Sequence, residues 1–317
     1  MGTCISLASS EIHGVEVHVN MKLYEENINV PNGTGGLGSV FTEEGSKGLN
    51  QDAAILYQGY GMEDGAFCGV FDGHGRNGHT VSKIVSNRLP SLLLSQKNAL
   101  AKINELIDGN DITDQIEMVA YDSVSTKNFH TWKEAIVSVF KVMDKEIKLQ
   151  VNLDCSGSGT TAVVVIKEGE DLIIANLGDS RAVLGTISKS EIAAVQLTTD
   201  LKPGLPCEAD RIRKVQWSGI CTKGRTPYPA SISHIHRLTS SDQFIVLASD
   251  GVWDVISNKE VMSIVWAADS EEAAAKAVVE AATIAWKNKF PSAKVDDCTV
   301  VCLFLHKKQC TTMAVDG

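Results

Sequence analysis

The chain has no CxxC pair and no closely spaced run of cysteines and histidines, although it holds eight cysteines. That absence excludes the usual cysteine-ligated metal and redox arrangements. No run of apolar residues reaches the length of a membrane-spanning helix. The opening MGTCISLASSEIHG lacks the apolar core of a secretory signal, so a reducing, intracellular and cytoplasmic location is expected. Basic charge is scarce too. Lys and Arg number 29 against 39 Asp and Glu, a formal net charge of -10, and such a chain is poorly suited to gripping nucleic acid. There is no internal repeat.

What is present is ordinary globular composition. The 317 residues are 44% hydrophobic and 21% charged, enough for one large domain or two small ones. Glycine-rich PNGTGGLG, residues 31–38, reads as a flexible link after an N-terminal tail. Apolar runs DAAILY, AFCGVF, TTAVVVI, DLIIAN, RAVLGTI, IAAVQL, FIVLAS and CTVVCLFL read as strands. The short links among them, LGDS included, are expected to close antiparallel hairpins. TWKEAIVSVFKVMDKEIKLQ repeats apolar residues at near-helical spacing through Ala135, Val139, Val142 and Ile147. The helical region before it is expected to break at NDITD. Ser257 and Glu260 have the spacing of a capping box for the helix NKEVMSIVW. SEEAAAKAVVEAATIAWKN is alanine-rich and helical in pattern. Strands grouped with strands and helices with helices indicate an α+β fold with antiparallel sheets.

GHGRNG, residues 73–78, fits the dinucleotide pattern GxGxxG between a strand-like and a helix-like run. That reading needs a parallel strand soon afterwards and an acidic residue about 20 positions on. Near residue 95 the sequence is SQKN, and the next clear strand is TTAVVVI at 160. Asp72 also stands where a pyrophosphate would be repelled. An aspartate at a strand end followed by glycine suits a hard cation better, because Mg²⁺ and Mn²⁺ prefer carboxylate and carbonyl oxygens. One aspartate is not a site. Asp52 in LNQDAA, Asp179 in LGDS, Asp250 in LASDG and Asp296 in VDDCTVV occupy comparable places at strand edges.

NQDA, VFDGHG, SGSGTTA, NLGDSRA, LASDGVWD and VDDCTVV occur in one order. In that order they resemble the metal-dependent type 2C protein serine/threonine phosphatases, most closely the plant members. The resemblance runs from about residue 38 to 306 and marks 1–37 and 307–317 as tails. It implies a four-layer α/β/β/α sandwich, with two antiparallel sheets packed face to face and helices outside each. It implies hydrolysis of phosphoserine and phosphothreonine in protein substrates, with two Mg²⁺ or Mn²⁺ ions, and a monomer is expected. Carried over residue by residue, Asp72 would bridge the two ions and the Gly73 carbonyl would bind one. Asp250 and Asp296 would hold the other. Asp52 would act through water, and Asp179 would belong to a weaker third position. His74 would be the general acid, and Lys47 stands where a basic residue receives the substrate phosphate.

The resemblance fails between about residues 213 and 236. The family carries several tens of residues there, including a strand of pattern GLAxxRAxGD; this chain has VQWSGICTKGRTPYPASISHI. The sheet is expected to lose one or more strands. Losing three inward side chains costs about 5–9 kcal/mol, against 5–15 for a whole domain. ASISHI is the only candidate replacement. The alternative function that follows is a catalytically impaired relative acting as a binding protein. At the N-terminus, MGTCIS fits a myristoylation pattern. Gly2 would take one lipid and Cys4 a second, giving a membrane tether.

Overall fold

The computed structural model describes residues 21–22, 38–108, 120–151, 153–155, 157–217 and 231–306. Gly2, Cys4, the PNGTGGLG link up to residue 37, the NDITD break and the tail from 307 lie outside the described residues. In chain order the first elements are β1 (Met21–Lys22), β2 (Gly38–Glu43), β3 (Asp52–Gln58), β4 (Ala66–His74), α1 (Gly78–Asp108), α2 (Ala120–Lys148), β5 (Gly159–Thr160), β6 (Ala162–Glu168) and β7 (Asp171–Leu177). Then follow β8 (Arg181–Ser188), β9 (Glu191–Gln196), α3 (Pro206–Trp217), β10 (Ser231–Arg237), β11 (Asp242–Ala248), α4 (Asp250–Trp253), α5 (Asn258–Ala267), α6 (Ala274–Lys289) and β12 (Cys298–Phe304).

The strands form two antiparallel sheets. One runs β1-β3-β4-β6-β7-β10, with β5 paired to the end of β4; the other runs β2-β12-β11-β8-β9. Alternation along each strand sets the layers. Ala66, Cys68 and Val70 of β4 meet Val163 and Val165 of β6, Ile245 and Leu247 of β11 and Val301 and Leu303 of β12 between the sheets. Phe67 and Phe71 of β4 face Val85, Leu89, Trp132, Ile136 and Val139 on α1 and α2. Phe244 and Val246 of β11 and Val300 and Cys302 of β12 pack on α5 and α6. The architecture is the expected α/β/β/α sandwich.

Three expectations change in detail. LGDS does not close a hairpin: β7 belongs to the first sheet and β8 to the second, so this turn carries the chain across the sandwich. Loop length alone does not separate the two cases. Val142 does not join the core of α2; it is 38% exposed, while Ala135, Ile136, Val139 and Met143 face inward. The alanine-rich helix begins only at Ala274. The Ser257–Glu260 capping box is present, with side chain and backbone bonded in both directions. At the sheet margin, the segment proposed as a replacement is a strand. β10 pairs with β7 from Ser231↔Asn176 to Arg237↔Asp171, with one register shift.

Candidate active site

The parity that builds the core also gathers the polar residues at one rim. In β4 the inward row Ala66, Cys68, Val70 ends at Asp72. In β3 Asp52 is the direct cross-strand partner of Asp72. In β11 Ile245 and Leu247 continue to Ser249, and in β12 Val301 leads back to Thr299. Each apolar row therefore ends in a polar residue on the same side, and these meet. Ser249 donates its hydroxyl to Asp52 at 2.7 Å and accepts the Thr299 N–H at 3.1 Å. Asp52 is buried at the floor of the rim. Burial raises its pKa; hydrogen bonds from Thr299 and Ser249 oppose that, and the charges of Asp297 and Asp250 add to it.

Asp72 is fixed by the chain beside it. Its N–H donates to the Thr161 hydroxyl at 3.0 Å, and the Thr161 N–H donates to its carbonyl at 2.8 Å. The same hydroxyl bonds Ser180 at 2.7 Å, just after Asp179. Burial pushes the Asp72 carboxyl well up, as do the neighbouring charges of Asp52, Asp250 and Asp296 and a hydrogen bond with Asp250. Asp250 is also raised, first by burial and then by Asp179, Asp296 and Asp254. The rim thus brings Asp52, Asp72, Asp250 and Asp296 within electrostatic reach of one another. Lys47 bonds the Asp296 carboxylate. Burial lowers the Lys47 pKa, but Asp296, Asp250 and Asp72 outweigh this and leave it raised. Among the described residues no three His, Cys, Asp or Glu side chains stand in ready metal-holding geometry.

His74 follows on the exposed outer side of the rim. Its ring lies across Gly159, where a Cβ would come within 2.8 Å of Nε2. Partial burial lowers its pKa, and Asp179 opposes the shift. Asp179 itself is raised, chiefly by burial.

The glycines matter for closeness. Neither Gly73 nor Gly251 has a positive φ. A Cβ on Gly73 would lie 2.4 Å from the Gln51 carbonyl oxygen, and one on Gly251 would lie 2.1 Å from that of Asp297. Asp250 opens the one-turn helix α4, and Gly251 after it is glycine because another backbone passes against it. In the GHGRNG loop, Gly73 pairs with Thr160 in an antiparallel ladder. The strand after α1 and α2 returns antiparallel to β4, so no βαβ unit forms and the dinucleotide reading falls.

Sequence reasoning missed Asp297. One of its carboxylate oxygens accepts the Gly45 N–H at 2.8 Å, and the other accepts the Gln51 N–H at 2.9 Å. It clamps both ends of the loop that carries Lys47. The doubled DD of VDDC was the signal, and only its first member was taken. Arg181 was missed as well. It donates to both oxygens of Asp200, at 2.9 and 2.6 Å, to Asn258 at 2.6 Å, and stacks over Trp253.

The comparisons with known proteins point to one family. The family model described as Protein phosphatase 2C matches residues 41–225 and 221–289. Its two pieces meet inside the stretch where the family pattern was seen to fail. A probable protein phosphatase 2C 72 of Arabidopsis thaliana is 44% identical over 349 residues, covering 98% of this chain and 99% of that one. That alignment is longer than the chain itself, so the relative carries residues this protein lacks. A probable protein phosphatase 2C 12 of Oryza sativa subsp. japonica is 44% identical and covers 87% of this chain and 83% of its own. Among solved structures, a serine-threonine phosphatase 2C from Toxoplasma gondii superposes with a TM-score of 0.67 at 22% identity, over 84% of this chain and 94% of that one. It shows the shared sandwich. The class is that of a protein serine/threonine phosphatase. The chain belongs to the protein phosphatase 2C family, whose members are metal-dependent.

Proposed function

We propose that the rim carries out phosphate-monoester hydrolysis on phosphoserine and phosphothreonine proteins, with Asp72, Asp250 and Asp296 as the direct carboxylate ligands of two Mg²⁺ or Mn²⁺ ions. The observation that carries this reading is the crowding of Asp52, Asp72, Asp250 and Asp296 in a buried rim where Asp72 and Asp250 must share a hydrogen bond. The donor set fits such ions: carboxylate oxygens, with the Gly73 carbonyl beside Asp72. When bound, the cations neutralise the phosphoryl oxygens and lower the pKa of an attacking water. The reaction is among the slowest uncatalysed ones, with accelerations up to ~10²¹ known.

The chain's own residues do the rest. Asp52, hydrogen-bonded by Ser249, is an acceptor beneath the cluster that orders water. Asp179, across the β7–β8 connection, adds a further carboxylate at the weaker third position. His74 follows Asp72 at the strand end and is the general acid for the departing serine or threonine oxygen; burial lowers its pKa, and the Asp179 charge works against that in favour of the protonated ring. Lys47 places an ammonium on the exposed side of Asp296, where a substrate phosphate can meet it. The binding-protein alternative is not favoured: it drew on the shortened segment, and β10 occupies the edge beside β7.

The test is phosphate release from a phosphothreonine peptide by purified protein with Mn²⁺ or Mg²⁺. Turnover should disappear with chelator and in Asp72→Asn. Equal rates in wild type and D72N would overturn the reading. We also propose that Gly2, with Cys4, tethers the phosphatase to membranes through acylation; the support is the MGTCIS pattern. Gly2→Ala should move the full chain to the soluble fraction, and unchanged fractionation would count against the tether.

A further inference from the structure

The last turns of α6 end on the segment that presents Asp250. The Trp286 indole N–H donates to the Gly251 carbonyl at 2.6 Å. The Cys298 thiol approaches the same oxygen at 3.4 Å. Just beyond Trp286, the Lys289 ammonium donates to the Val255 carbonyl. Within α4 the Asp254 N–H is taken by Asp250, and the Val255 and Ile256 N–H groups both go to Val252. The Gly251 carbonyl is thus one of the orphan acceptors a one-turn helix leaves behind, and α6 supplies its strong donor from outside. On its other side Gly251 is pressed against the Asp297 carbonyl.

We propose that Trp286 is a positioning residue for Asp250. Its indole N–H holds the Gly251 peptide, and with it the carboxylate one residue earlier, in the orientation the cation cluster requires. The inference rests on Asp250 acting as a cation ligand. A packing role alone is the competing account, since Trp286 is half-buried and its ring meets Phe290 at 5.4 Å between centroids. Packing needs a ring; positioning needs the N–H. Trp286→Phe keeps the first and removes the second, while Phe290→Ala loosens the same helix end and keeps the N–H.

The test is calorimetric Mn²⁺ binding by chelator-treated, full-length wild type, W286F and F290A, with a thermal melt of each. Partners that orient a metal ligand are worth 10–100-fold in affinity, so W286F should bind Mn²⁺ about tenfold more weakly. F290A should lose melting temperature and keep its affinity. Unchanged affinity in W286F, or equal weakening in both variants, overturns the proposal. If wild type binds no Mn²⁺, the ligand reading of Asp250 falls first and this one with it. A measurement on the unsubstituted protein gives the same decision should W286F not fold. Of the five tryptophan indole N–H resonances, that of Trp286 should shift across a Mg²⁺ titration with the calorimetric midpoint. A resonance that stays fixed overturns the proposal.

Discussion

Asp52 and Asp72 stand directly opposite each other in the β3–β4 ladder. Like charges at such a pair of positions destabilise a sheet by about 0.2–1 kcal/mol. Here burial adds to the repulsion and forces Asp72 to hold its proton. Asp72→Asn supplies a side chain that is neutral without taking up a proton on folding, and leaves an amide able to donate to Asp250. Chelator-treated D72N should therefore melt up to about 2 °C above wild type, even though its turnover is lost. A lower melting temperature would mean that the opposition is not a strain in the folded protein.

Thr161 holds Asp72 by both its N–H and its hydroxyl. Thr161→Val keeps the shape and leaves the Asp72 N–H and the Ser180 hydroxyl without this partner. The expected cost is about 1–3 kcal/mol in denaturant unfolding. A drop in kcat of about tenfold or more should accompany it, because small misplacements of reacting groups are expensive in rate. A stable variant with normal kcat would show that Asp72 is held adequately by its own strand.

Asp297 and Lys47 should act as a unit. Asp297→Ala frees the Gly45 and Gln51 N–H groups and with them the loop that carries Lys47. Both D297A and Lys47→Met should raise KM for a phosphopeptide more than they lower kcat. The double variant should be little worse than either single one, since residues serving one contact are not additive. Additive losses in steady-state kinetics would separate the two roles.

Glu168 governs acid stability away from the rim. Burial alone would raise its pKa. Hydrogen bonds from Lys97, Trp132 and Asn128, at 2.5, 2.8 and 2.8 Å, together with the Lys97 charge, hold it below its ordinary value. The folded value lies under the unfolded one of about 4.3, so ionised Glu168 stabilises the fold above that pH. This contribution is lost as pH falls through the folded value. Wild type should exceed Glu168→Gln by about 2 kcal/mol at neutral pH. The gap in urea unfolding should narrow between about pH 5 and pH 3. A gap independent of pH would mean the carboxylate is not ionised at this junction.

The layers were legible because AFCGVF, TTAVVVI and CTVVCLFL are apolar at nearly every position, which suits strands covered on both faces. The aspartates were legible because a charge at the end of such a run has nowhere apolar to go. What escaped was decided by residues distant in the chain. Gly251 is glycine because Asp297 passes beside it, and Gly73 because Gln51 does. LGDS is as short as a hairpin loop, and only the pairing of β8 with β11 shows that it changes sheets. The β8–β9 turn places Lys189 and Ser190 at φ 50° and 68°, a left-handed geometry that neither residue type announces. Asp297 looked like a duplicate of Asp296 until its two oxygens were seen to hold separate ends of one loop.

β10 lies at the outermost position of its sheet and pairs with β7 alone among the described strands. Asp52, Asp72, Ser249 and Thr299 come from β3, β4, β11 and β12 or their ends, each with a neighbour on both sides. Chemistry and tolerance are therefore zoned within one fold. Editing of the chain at the margin forfeits a single ladder, whereas the same edit three strands inward, at β4, would unseat the carboxylates. A change in the stretch before β10 therefore leaves the strands that support the rim in place.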